Sequence, residues 1–139
     1  MAKLNDEIKE ILKDSFSVKL LSTSGEDGCP HTVIKLSITD LDDNSLAYME
    51  LFESSFSNIN MQRNFEDKKR VSVNVFNMKR GIFYQIKGRP TQKIIEGPVW
   101  NKFLEETLKI LPDAKPVCVW VIEADEIIDE NYERRMKEG

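Results

Sequence analysis

The chain has 139 residues, of which 40% are hydrophobic and 32% charged, a composition typical of one globular domain. Its 24 acidic and 20 basic residues give a net charge of -4. An acidic chain without a concentrated basic stripe is poorly suited to nucleic acid, because phosphate neutralisation dominates that affinity. No apolar stretch approaches the ~20 residues that span a bilayer. Neither nucleic acid nor a membrane is therefore an expected partner.

The two cysteines and the single histidine set limits on the chemistry. Cys29 falls in a predicted turn and Cys118 in a predicted apolar strand, so both are interpreted as reduced thiols of a cytoplasmic protein. The charged, helical beginning of the chain does not have the pattern of a secretory signal. Because His31 is the only histidine, no histidine-based metal site is predicted.

The first predicted elements are a helix and three strands. Apolar residues recur at helical spacing from Leu4 to Leu12, and Asn5 or Asp6 can cap that helix. The strands, separated by clusters of turn-forming residues, are 16–23, 31–38 and 46–52.

A polar segment rich in serine then opens a second helix, and any of its serines could cap that helix. Residues 71–76 alternate cleanly between apolar and polar side chains, which predicts a strand with one buried face. The next strand, 82–95, is interrupted at Gly88-Arg89-Pro90, which indicates a bulge or bend.

A third helix and a last strand complete the chain. The apolar face of the helix is predicted to pack in the core without touching a ligand; it consists of Trp100, Phe103, Leu104 and Leu108. Residues 117–124 are apolar at nearly every position, which predicts a strand covered on both faces. Residues 129–139 form a charged tail that could be a loose helix.

This order of elements predicts a mainly β fold, a six-stranded antiparallel split β-barrel with short flanking helices. A closed or nearly closed barrel removes exposed sheet edges. The whole chain, 1–139, is interpreted as a single domain. The sequence has no regular strand-helix alternation and no glycine-rich nucleotide loop, so a doubly wound fold is not favoured.

Two places were considered as candidate sites on the residues alone. Cys29 and His31 bring a thiol near an imidazole, but their spacing does not establish a nucleophile and base, so no catalytic residue is predicted. The polar segment 53–58 opens a helix, and helix N-termini offer free N–H groups and partial positive charge to a phosphate. The alternative is simple N-capping. Lys35 is either a second phosphate ligand or an exposed strand lysine.

Five segments, taken in order, carry a resemblance to a known family. They are 21–31, with its Glu26-Asp27-Gly28-Cys29-Pro30-His31 turn, Asn60-Met61 followed by Asn64, then 70–73, 86–90 and 117–129. With them the chain resembles the pyridoxamine 5'-phosphate oxidase-like split barrels, in particular the small single-domain FMN-binding proteins.

The resemblance implies a homodimer with FMN at the subunit interface, working as an oxidoreductase or electron-transfer protein with a redox partner or a small-molecule substrate. The cofactor-binding residues it implies are Val33, Ile34, Lys35 and Leu36, then Glu50, Leu51 and Phe52, then Ser55, Ser57 and Asn58. Members usually carry a Lys or Arg near Phe56 or Ser57, and this chain has none there. Phosphate binding would then depend on hydroxyls, backbone N–H groups and Lys35.

Other functions are compatible with the same fold. The chain lacks a counterpart of the extra basic substrate contacts of true pyridoxamine-phosphate oxidases, so that activity is not expected. A cofactor-free split-barrel dimer that binds a small ligand or a partner protein is the main alternative. A relative that binds a deazaflavin or haem is a third, with His31 as the available imidazole.

Overall fold

Seven strands and four helices follow one another in this computed structural model, which describes residues 2–138. In chain order they are α1 Asp6–Lys13, β1 Val18–Ser24, β2 Pro30–Ile34, β3 Thr39–Asp40, β4 Ser45–Glu50, α2 Phe56–Glu66, β5 Val71–Asn77, β6 Ile82–Ile94, α3 Pro98–Ile110, β7 Cys118–Asp129 and α4 Tyr132–Glu138. None of the described helices is long and apolar enough to span a membrane.

The strands form one antiparallel sheet in the order β2-β1-β5-β6-β7-β4-β3, curled into a half-barrel. The mainly β class is confirmed, but the predicted count of six strands is wrong. The additional strand is β3, whose two residues pair with Ala47 and Leu46. A two-residue strand shows no alternation in the sequence, so pattern alone could not predict it. The predicted strand 31–38 ends at Ile34, because the chain turns between Lys35 and Ile38.

The long strand β6 bends in the middle, and Gly88 makes the bend possible. Its pairing with β7 shifts register between Lys87 and Gly88 and again between Pro90 and Gln92, so the predicted interruption is confirmed. A Cβ atom at Gly88 would lie 2.1 Å from the Glu123 carbonyl oxygen, so only glycine fits there. The strand β7 runs on to Asp129, beyond the predicted 117–124, because its acidic second half pairs with the first half of β6.

Apolar side chains form one core on each side of the β4–β7 pair. The larger core lies inside the half-barrel, is closed at one end by α1, and contains Tyr48 and Trp120, both fully buried. The Asn5 side chain caps α1 by accepting from the Ile8 N–H at 2.8 Å, as predicted.

The smaller core lies under α3, where Phe103 packs against the outer side of β4 and β7. Trp100 and Leu104 pack against the same cluster, so their predicted structural role is confirmed. Leu108 is half-buried and lies outside this cluster. Alternate residues of β7 therefore enter different cores, which confirms that this strand is covered on both faces.

The predicted tail is connected to the barrel through Arg134 of α4, although residues 132–137 are exposed. Asp129 ends β7, and α4 begins at Tyr132. Arg134 bonds the Glu7 carboxylate at 2.9 Å, the Asp129 carboxylate at 2.7 Å and the Tyr84 hydroxyl at 3.0 Å. These contacts join α4 to α1 and β6. Gly139 lies outside the described residues.

Candidate functional site

A buried carboxylate marks the place where the end of β4, the segment after β2 and the start of α2 meet. Glu50 is fully buried, and its oxygens accept from the Lys35 ammonium at 2.8 Å and the Ser55 hydroxyl at 2.9 Å. The Ser57 hydroxyl lies 3.2 Å from both oxygens, and the Tyr48 hydroxyl donates at 3.2 Å. We call these five residues the Glu50 cluster. A carboxylate offers about four lone-pair sites, so this one is saturated by its neighbours.

Lys35 is held over this carboxylate by the chain around it. Its backbone N–H donates to the Lys19 carbonyl at 2.9 Å, which extends the β1–β2 ladder by one bond. Its side chain is only 15% exposed, and its ammonium lies 5.6 Å from the centre of the Tyr48 ring. Two charges removed from water in this way are tolerated only when they are paired and hydrogen-bonded. Lys35 is therefore not the exposed strand lysine of the alternative interpretation.

Two further groups beside Glu50 keep their protons. Burial, together with the negative charge of Glu50, raises the pKa of the Tyr48 phenol well above its usual value. Cys118 pairs with Glu50 across β4 and β7, and burial raises the pKa of its thiol to about 11. A protonated thiol is a poor nucleophile, so Cys118 has a structural role.

The first turn of α2 is the other half of the site. The Ser55 hydroxyl caps the helix by accepting from the Asn58 N–H at 3.1 Å while it donates to Glu50. The N–H groups of Phe56 and Ser57 have no acceptor among residues 2–138. Free N–H groups at a helix start attract anions. The site thus combines two free backbone donors with an ion pair whose charges cancel.

Polar side chains help to fix the position of α2, together with Met61 and Phe65, which pack on the larger core. The Asn58 amide accepts from the Trp120 indole N–H at 3.1 Å and donates to the Glu53 carbonyl at 3.0 Å. Asn64 exchanges two hydrogen bonds with the backbone of Ser24, at 3.1 and 3.3 Å. The start of the helix is therefore tied to the core through Asn58, and its last turn is tied to β1 through Asn64.

Exposed apolar side chains flank the cluster residues in the sequence. They come from the end of β2 and the segment after it, from the segment after β4 and from α2, and we call them the apolar rim: Ile34, Leu36, Phe52, Phe56 and Ile59. The His31 ring lies 5.7 Å from the Phe56 ring and extends this surface. Val33 and Leu51 instead pack on the larger and the smaller core, respectively.

The structure thus brings four of the predicted cofactor-binding residues together. The other six do not bond to Glu50: Ile34, Leu36 and Phe52 are exposed, Val33 and Leu51 pack on the two cores, and Asn58 bonds to Trp120. Lys35, Glu50, Ser55 and Ser57 form one cluster, although they bond mainly to one another. Sequence reasoning missed Tyr48 and Trp120. Tyr48 could have been found, because it precedes Glu50 by two and so shares its face of β4. Trp120 could not, because its bond to Asn58 joins distant elements.

Cys29 and His31 do not form a nucleophile–base pair. The Cys29 sulfur is exposed, lies 3.8 Å from the Pro30 carbonyl, and makes no hydrogen bond to His31. Within the part of the chain that the structure describes, no three His, Cys, Asp or Glu side chains are grouped to hold a metal ion.

A curled antiparallel half-barrel with a helix opening after the fourth strand defines a split-barrel protein. Comparison with solved structures shows that the fold is that of the pyridoxamine 5'-phosphate oxidase-like split barrels. A candidate pyridoxamine 5'-phosphate oxidase from Lactobacillus delbrueckii is 21% identical, with a TM-score of 0.69 over 91% of this chain and 93% of that one.

Two other similar structures differ in what they bind. An FMN-binding protein from Syntrophomonas wolfei is 8% identical, with a TM-score of 0.71 over 88% of this chain and 82% of that one. The heme storage protein HutZ from Vibrio cholerae is 10% identical, with a TM-score of 0.64 over 92% and 95%. No protein-family model and no curated protein matches the sequence. At these sequence identities the similarity establishes the fold alone. The ligand has to be inferred from the residues of the site.

Proposed function

We propose that this protein is an FMN-binding flavoprotein, an oxidoreductase or electron-transfer protein that holds flavin at the interface of a homodimer. One observation carries the proposal. Exposed apolar side chains of the rim and free backbone N–H donors occur together at the start of α2. FMN has the matching parts, a flat apolar ring system and a phosphate. The shared fold with an FMN-binding protein supports this assignment.

The apolar rim suits the ring and a second copy of the chain. Phe52 and Phe56 are 67% and 71% exposed, although large apolar side chains are usually covered. A ring lying against them on one protomer would leave its other face in water, and a second copy would cover that face. Obligate dimers commonly bury more than about 2,000 Å².

The phosphate would bind at the first turn of α2. The N–H groups of Phe56 and Ser57 are the free donors, and the Ser55 hydroxyl lies beside them. Lys35 would contribute its charge only to the extent that a phosphate competes with Glu50 for it. Asn58 would hold the helix start in position through its bond to Trp120. When bound, FMN would supply the hydride and electron chemistry, while the protein orients the ring and excludes water.

A flavin titration with a matched pair of variants tests this proposal. The purified protein is expected to be yellow or to quench FMN fluorescence with one FMN per protomer, and to sediment as a dimer. Phe52→Ala should weaken FMN binding about tenfold, which corresponds to the loss of about 1.4 kcal/mol of contact. Ile110→Ala, at an exposed site on α3, should leave it unchanged. Absence of flavin binding refutes the proposal, and a Soret band after haem addition would favour a haem protein instead.

The second candidate is a cofactor-free split-barrel dimer that binds another small ligand or a partner protein. The saturation of Glu50 favours it, because the side-chain donors of the cluster already have an acceptor. A sedimentation result showing a dimer, combined with no binding of FMN, riboflavin or haem, would select this candidate.

A further inference from the structure

We propose that Glu50 determines how strongly the site distinguishes a phosphorylated flavin from an unphosphorylated one. Its carboxylate neutralises Lys35 and accepts from both serine hydroxyls, so the ligand phosphate has to compete with an anion that belongs to the protein. This inference rests on the proposed flavin function. It adds a specificity-determining residue to that function.

The charge balance of the site supports this role. Lys35 and Glu50 lie 2.8 Å apart and carry opposite charges, so their effects on a nearby phosphate largely cancel. The pair is also shielded from solvent, since its side chains are 15% and 0% exposed, and screening by salt is weak for such groups. The remaining attraction for a phosphate comes from the backbone N–H groups at the start of α2, because the serine hydroxyls donate to Glu50.

No other cation near the cluster replaces Lys35. The Lys19 ammonium is buried and donates to the carbonyls of Leu12 and Ile38 at 3.0 and 2.7 Å. The Lys93 ammonium lies over the Trp120 ring and donates to the Gln62 side chain at 3.1 Å. Neither bonds to Glu50 within the described residues. Lys35 is therefore the cation that is paired with Glu50.

The test is the ratio of FMN affinity to riboflavin affinity in four proteins, because the two ligands differ only in the phosphate. Fluorescence titrations would compare the wild type with Glu50→Gln, Lys35→Ala and the double variant. Glu50→Gln leaves Lys35 unneutralised and should raise the ratio by about 10- to 100-fold, the size expected for a charge-assisted hydrogen bond. Lys35→Ala leaves Glu50 facing the phosphate and should lower the ratio by about tenfold or more. The double variant, neutral like the wild type, should return to within about threefold of it.

Each outcome has a defined meaning. An unchanged ratio in Glu50→Gln, or a double variant that behaves like Lys35→Ala, overturns the role of Glu50 and leaves the flavin function standing. Failure of all four proteins to bind either flavin overturns both proposals. If Glu50→Gln shows no cooperative melting, Glu50→Asp takes its place, because it draws the carboxylate away from Lys35. A raised ratio in Glu50→Asp then supports the role, and an unchanged ratio overturns it.

Discussion

Replacing Phe103 by alanine would measure how firmly α3 is held on the sheet. The Phe103 side chain is 6% exposed and packs against Met49, Val119 and Val121. Truncation of a buried phenylalanine costs about 3–5 kcal/mol. Because a single helix covers this smaller core and can settle into the gap, we expect the lower value, about 3 kcal/mol. In a domain of this size that corresponds to a melting temperature lower by roughly 10 °C.

Urea unfolding at one fixed protein concentration, followed by tryptophan fluorescence, would give the free energy of unfolding. Phe16→Ala is the matched control, because it removes the same atoms from a side chain that is 65% exposed and lies outside the apolar rim. It should change that free energy by no more than about 0.5 kcal/mol. The reasoning is refuted if both variants lose similar stability, or if Phe103→Ala lowers flavin content at an unchanged melting temperature.

Two further predictions concern pH. Hydrogen bonds from Tyr84 and then Arg134 hold the pKa of Glu7 below its ordinary 4.5, so Arg134→Ala should lower the unfolding free energy at neutral pH. That difference in unfolding free energy should shrink as pH falls through the lowered Glu7 pKa, because the carboxylate is then protonated. A difference that does not change with pH would contradict the ion pairing. Cys118 keeps its proton to about pH 11 in the folded state, whereas an unfolded thiol ionises near 9.0, so stability should fall by roughly 2–3 kcal/mol over that interval. Cys118→Ala should flatten this alkaline decline in urea titrations, and an equal slope in both proteins would exclude the thiol as its cause.

The elements that the sequence predicts well are those whose burial repeats locally. The spacing from Leu4 to Leu12 and the cap at Asn5 define α1 without reference to the rest of the chain. The alternation of β5 and the apolar face of α3 can likewise be recognised from neighbouring residues, because one side of each element is buried and the other faces away from the core. Such patterns indicate which face is buried, and the structure confirms them.

What the sequence could not show depends on contacts between distant residues. β3 exists because it pairs with β4, and β7 extends to Asp129 because β6 lies beside it. The family resemblance placed Lys35, Glu50 and Ser55 at one ligand site. It did not show that they bond to one another, since that requires the relative position of three elements. The one available signal was Glu50 itself, a carboxylate between Met49 and Leu51 in a largely apolar strand.

The place of β7 in the sheet has a consequence for how the chain folds. β7 lies between β4 and β6, so it supplies ladder partners to both and places Trp120 in the larger core. Its pairing with β4 joins segments that are far apart in sequence, and such non-local closure is slow. Until β7 is available, β4 has an unpaired inner edge that invites pairing with other chains. We therefore expect a chain that lacks residues 118–129 to aggregate more readily than the full chain, because the inner edge of β4 would then have no partner.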